Sequence, residues 1–107
     1  MKKVTLIASN VVNASEGMRL EVSLDNNNHI ELENEVLGKG SVQWEKWYDF
    51  NVLEFDESKA LMDWNDTDFA ANISTLDILN RRLAVGELIR YVDGGEHFTY
   101  RIDEIKS

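Results

Sequence analysis

The chain reads as a small α+β domain, mainly antiparallel strands in a curved sheet or partly open barrel, with one or two helices in residues 56–83. Three observations lead there. Residues 18–24 and 98–103 alternate apolar and polar side chains with the period of a strand. Between residues 56 and 83 the apolar spacing lengthens toward a helical period. With 107 residues, 43% of them hydrophobic, the chain can fill one core, so residues 1–107 are read as a single domain.

The elements follow in order. The start, Met1-Lys2-Lys3-Val4-Thr5-Leu6-Ile7-Ala8-Ser9-Asn10, has too short an apolar run for a signal peptide and reads as a first strand. Met18, Leu20, Val22 and Leu24 share one face of a second strand. Asp25-Asn26-Asn27-Asn28 is a turn, after which His29–Glu33 resumes the alternation as the partner of a hairpin. Gly38-Lys39-Gly40 breaks the chain again. Residues 41–55 are aromatic and β-branched, one long strand or two short ones, although residues 42–48 are also compatible with a helix.

Asp56 is placed to cap a helix over 57–64, with Ala60, Leu61 and Trp64 on one side. A second helix is expected from about Asp66–Asp68, striped by Phe69, Ile73, Leu76 and Leu79 or Asn80 and ending near Leu83; its start can also fall at the capping-box pattern Ser74-Thr75-Leu76-Asp77. Arg81-Arg82 would then complement the dipole at its end. Residues 85–92 and 96–105 form a closing hairpin around Asp93-Gly94-Gly95.

Composition excludes several functions. No segment approaches the roughly 18 apolar residues of a membrane helix. Cysteine is absent, which removes disulfides, thiolate nucleophiles and cysteine metal sites. Without a secretion signal, the sequons at Asn13, Asn65 and Asn72 are read as chance and the chain as cytoplasmic. Twenty acidic residues against eleven basic ones give a formal charge of −9, a surface that repels nucleic acid and anionic membranes. From Asp49 to Asp77 there are eight acids and one base, and from Ile78 to Ser107 five of each.

The stretch Asp63-Trp64-Asn65-Asp66-Thr67-Asp68-Phe69 carries the chain's densest run of oxygen ligands. As a calcium loop beginning at Asp63 it would need glycine at its sixth position and glutamate at its twelfth, where Asp68 and Ser74 stand. It is therefore read as a cap between helices that adds to an acidic surface. His29 and His97 have no partner at metal-binding spacing, and no phosphate loop, dinucleotide fingerprint or hydrolase elbow occurs. No metal, cofactor or catalytic residue is assigned, and the chain is read as non-enzymatic.

The leading expectation is a protein-binding module that meets a basic partner. On a strand, Glu31, Glu33 and Glu35 would stand about 6.7 Å apart on one face, a row that can imitate a phosphate backbone. Such a row could occupy the basic groove of a nucleic-acid-handling complex. By analogy of size and charge alone, short acidic chains without cysteine are common among virus-encoded inhibitors of host or defence proteins. Asp49, Asp63, Asp66 and Asp68 join the expected surface. Trp47 is a candidate anchor if residues 44–50 form a strand, because Trp44, Tyr48 and Phe50 then face one side and Trp47 the other. Two alternatives are a structural subunit that pairs through an open strand edge and a small-ligand binder using the Trp44–Phe50 cluster.

Overall fold

The computed structural model describes residues 2–65 and 73–107. Its strands are β1 (Lys2–Asn10), β2 (Gly17–Leu24), β3 (Val36–Gln43), β4 (Trp47–Glu54), β5 (Ala60–Trp64), β6 (Ser74–Leu76), β7 (Leu88–Asp93) and β8 (Glu96–Lys106). Each pairs antiparallel with the next, and β1 also pairs with β8, so the sheet closes into a barrel. Among the described residues there is no helix. The α+β expectation, with its partly open sheet, is corrected to an all-β closed barrel.

Alternation explains the strands. Val4, Leu6 and Ala8 of β1 and Met18, Leu20, Val22 and Leu24 of β2 point inward and are buried. Between them stand outward residues such as Thr5, Arg19 and Glu21. Phe50 and Val52 of β4, Ile89 and Tyr91 of β7, and Tyr100 and Ile102 of β8 complete the filling. An eight-stranded barrel is just wide enough for side chains to fill its interior, which the large aromatics do here. The charged outer wall and apolar interior invert the pattern of a transmembrane barrel. No helix among the described residues is long and apolar enough to cross a membrane.

Two irregularities make closure possible. Where β8 meets β1, the register slips between Ile7 and Ala8, which pair with Glu104 and Ile102. Asp103 is the extra residue, and it lets both Ile102 and Ile105 pack toward the interior. The Ser9 hydroxyl donates to its carboxylate at 2.6 Å and Arg101 Nε donates at 3.2 Å, holding that carboxyl below its ordinary range. In β3, Leu37 is the extra residue between the Val36–Leu53 and Gly38–Val52 pairs. Gly38-Lys39-Gly40 is thus the interior of a strand and not a break. Its glycines occupy inward positions where β2 and β3 approach closely. A Cβ at Gly38 would lie 2.2 Å from the Glu21 carbonyl oxygen, and one at Gly40 would lie 2.6 Å from both the Arg19 carbonyl oxygen and the edge of Phe50.

The expected helices give way for identifiable reasons. In residues 60–64 the spacing that suggests a helix also contains a period of two. Ala60, Met62 and Trp64 face inward, and Asp63 faces out. Asp56 does accept backbone N–H groups, from Ser58 and Lys59, but within the turn between β4 and β5. The second expected helix begins on residues outside the described ones. From Ile73 onward its place is taken by the three-residue β6 and an irregular loop. Ile78, Leu79 and Leu83 of that loop are buried at one end of the barrel, and Arg81 reaches Asp77 and Glu87 instead of ending a helix.

Three loops clasp that end. The Leu83 N–H donates to the Asn28 carbonyl at 2.9 Å, and the Leu79 N–H donates to Ser58 at 3.1 Å. Asn80 Nδ2 donates to the Glu57 carbonyl. Residues 29–31 do fold back antiparallel on the end of β2, through the Asp25 N–H to the His29 carbonyl, the Leu24–Ile30 bridge and the Glu31 N–H to the Ser23 carbonyl, but the pairing ends there and the full partner of β2 is β3. The final hairpin agrees with the sequence reading, its Asp93–Glu96 pair joined through Gly94 and Gly95, both at positive φ.

Overpacking at the two inward glycines is expected to cost about 1–3 kcal/mol for each of Gly38→Ala and Gly40→Ala in urea unfolding. Gly17→Ala, whose added Cβ meets only ordinary contacts, should stay within about 0.5 kcal/mol of the parent. Equal losses at all three positions would contradict the close approach of β2 and β3.

Candidate functional site

The candidate site lies on the outer wall of β2–β5, where the strand alternation puts Trp47 outside while Phe50 turns in. Trp47 is 45% exposed, much for a tryptophan on a strand. Its six-membered ring lies over Gly17, where an added Cβ would come within 3.4 Å of it. The Arg19 guanidinium sits 5.7 Å from the ring centroid, in cation–π range. The indole is thereby held on a rigid sheet with much of its surface in water.

Arg19 separates two grooves. One, of about 370 Å³, runs over β2–β5 and is lined by Arg19, Glu21, Lys39, Ser41, Asp49, Asn51 and Asn65. The other, of about 300 Å³, passes Trp47 and Gln43 toward Ser9 and Asp103. Lys39 pairs with Glu21 at 3.4 Å, an exposed contact of small energy. Asp49 and Asp63 make no ion pair among the described residues. They stand one pair apart on β4 and β5, Asp63 opposite Asn51 and Asp49 accepting the Asn65 N–H through its carbonyl.

The structure thus brings Trp47, Asp49 and Asp63 to one wall. It does not bring the other expected residues there. Glu31, Glu33 and Glu35 lie in the loop 25–35 at the clasped end, without the regular spacing of a strand, so a phosphate-like row is not formed. Asp66 and Asp68 fall outside the described residues. Arg19 and Lys39, which the sequence reading passed over, dilute the acidity of this wall. The alternation of residues 18–24 already put Arg19 on the polar face, and the position of Lys39 needed the strand assignment of its flanking glycines.

Trp44 and Tyr48 belong to a second feature, the aromatic end of the barrel. Trp44 stacks on Tyr91 with centroids 6.3 Å apart and contacts Tyr48 at 5.1 Å and Trp64 at 5.8 Å. Trp64 Nε1 donates to the Ser74 hydroxyl at 3.0 Å, which in turn donates to Asp93 at 2.9 Å. Among the described residues the buried Tyr91 hydroxyl has no hydrogen-bond partner. Ser74 and Asp93 lie close enough to influence its ionisation but outside hydrogen-bond geometry. Burial first, then the Asp93 charge, drives its pKa far upward. Burial, with Glu16 adding, pushes Tyr100 up to about 12. These groups form packing with one unsatisfied hydroxyl, and among the described residues no set of three or more acids and histidines converges on a metal position. Compared with known proteins, the chain matches no protein-family model, no curated protein and no solved structure.

Two outcomes follow from the buried hydroxyls. Tyr91→Phe removes a desolvated, unpaired group and should leave urea stability equal or higher, whereas Ser74→Ala removes the acceptor of Trp64 and should cost about 1–3 kcal/mol. Tyr100 holds its proton more tightly folded than unfolded, so the native state binds more protons above the usual tyrosine value of 10.0. Stability should accordingly fall as pH rises from 10.0 toward about 12, and Tyr100→Phe should flatten that slope. A slope unchanged by Tyr100→Phe, read from urea midpoints across this range, would refute the assignment.

Proposed function

We propose that this barrel is a non-catalytic protein-binding module whose β2–β5 wall docks on a basic surface of its partner, with Trp47 as the anchor. The observation that carries the reading is the exposed indole, fixed by Gly17 and Arg19 beside two carboxylates that have no cation of their own among the described residues. Rigid aromatics with a charged rim are what binding hot spots are made of, because little side-chain entropy is lost on contact. Asp49 and Asp63 would take lysine or arginine from the partner. The formal charge of −9 would speed encounter with a basic surface while keeping nucleic acid away. A nucleic-acid-handling complex, such as a host or defence nuclease, presents a surface of this kind.

Closure of the barrel weighs against recruitment through a strand edge, since every strand already has a neighbour on both sides. The packed interior likewise leaves the aromatic residues occupied with one another.

Immobilised protein should capture a partner from native cell lysate that is released as salt is raised to about 0.5 M. Trp47→Ala should weaken that capture about tenfold or more. Asp49→Lys combined with Asp63→Lys should slow association while leaving the far-ultraviolet circular dichroism unchanged. A partner retained equally by parent and both variants would refute this wall as the interface.

A further inference from the structure

A different part of the barrel carries charge of the opposite sign. Outside β5–β7, under the clasping loops, lies a groove of about 340 Å³. It gathers Lys59, Arg81 and Arg90 around one carboxylate, Asp77. Three of the chain's eleven bases meet there in a protein of charge −9. We propose that this groove is an anion site that takes a phosphate-type group, held chiefly by Lys59 and Arg90.

The commitments of the neighbouring charges single out those two. Asp77 accepts the Arg90 backbone N–H at 2.6 Å and lies 3.7 Å from Arg81 Nη1. Arg81 also meets Glu87 at 3.3 Å, so its charge is countered twice. Asp56, close to Lys59 in the same turn, turns its carboxylate onto the backbone N–H groups of Ser58 and Lys59, and those bonds, with a lesser attraction from the Lys59 charge, hold it below its ordinary range. The side chains of Lys59 and Arg90 make no ion pair among the described residues.

The recess between them is laced in place. The Leu79 N–H donates to the Ser58 carbonyl at 3.1 Å, and the Asp77 N–H donates to the Arg90 carbonyl at 3.2 Å. These bonds fold the loop after β6 over the strand, leaving outward-facing Thr75 only 7% exposed. A phosphate group entering here meets an ammonium and a guanidinium able to bind two oxygens, with Ser58 and Thr75 in the lining beside them. The net negative charge of the chain opposes any anion at long range, so recognition must be short-range, and a polyanion is disfavoured.

The test is an amide NMR titration with sodium phosphate at constant ionic strength, repeated with phosphoserine and with a nucleoside monophosphate. Saturable shifts confined to residues 58–59, 75–80 and 90 are expected. Arg90→Gln and Lys59→Gln should each weaken phosphate about tenfold, the loss of one charge-assisted contact, while Lys39→Gln on the other wall leaves it unchanged. The ester that binds tighter than inorganic phosphate identifies the source of the group, a nucleotide or a phosphorylated side chain. Comparable affinity for all three identifies free phosphate as sufficient. Shifts that fail to saturate, that acetate reproduces with equal affinity, or that persist in Arg90→Gln would overturn the site.

Discussion

Pairing of β1 with β8 is the constraint on which the rest of this molecule depends. Once the first and last strands share hydrogen bonds, the interior has a fixed cross-section that the inward side chains must fill and must not exceed. Phe50, Tyr91 and Tyr100 are fully buried in that space. The Phe50 ring fits because β3 offers glycine at position 40, where a Cβ would lie 2.6 Å from it, and Gly38 leaves the same room for Val22 and the Glu21 backbone. The bulge at Asp103 serves the same end from the other side, restoring the inward phase of β8 before it meets β1. Clasping loops then seal one end with Ile78, Leu79 and Leu83, and stacked aromatics fill the other.

A barrel closed and filled in this way leaves its outer wall as the surface available for recognition. Antiparallel neighbours also redistribute charge. The acid-rich middle of the chain is threaded between strands that carry Arg19 and Lys39 on one side and Arg90 on the other. Charge that is segregated along the sequence becomes mixed on the surface, with Trp47, Asp49 and Asp63 on one wall and the Lys59–Arg90 groove on another. In the proposed reading, recognition would depend on which few groups are left unpaired at each wall more than on net charge.

Much of this was legible locally. The alternation of residues 18–24, the Gly94-Gly95 turn and the outward position of Trp47 all follow from a period of two. The failures have physical causes. Ala60-Leu61-Met62-Asp63-Trp64 satisfies a helical and a strand period together, and the tie is broken only by the neighbours β4 and β6. Ser74-Thr75-Leu76-Asp77 has the letters of a capping box, but Ser74 faces inward to Trp64 and Asp93. Ile78, Leu79 and Leu83 are apolar because they plug a barrel, a role that imposes no period. Closure itself joins Ala8 to Ile102, a relation that no local pattern contains. The candidate wall was half legible for the same reason: Trp47 and Asp49 are close in sequence, whereas Arg19 and Asp63 reach them only through the sheet.

The most direct test of closure is a nuclear Overhauser spectrum of the isotopically labelled protein, examined for backbone contacts between β1 and β8. Cross-strand contacts are expected for Ala8 with Ile102 and for Leu6 with Ile105, with slow amide exchange along both strands. If those contacts are absent and the β1 and β8 amides exchange as freely as loop residues, the sheet is open. Two strand edges would then stand exposed, and recognition through them would replace the outer wall as the leading explanation of what this protein does.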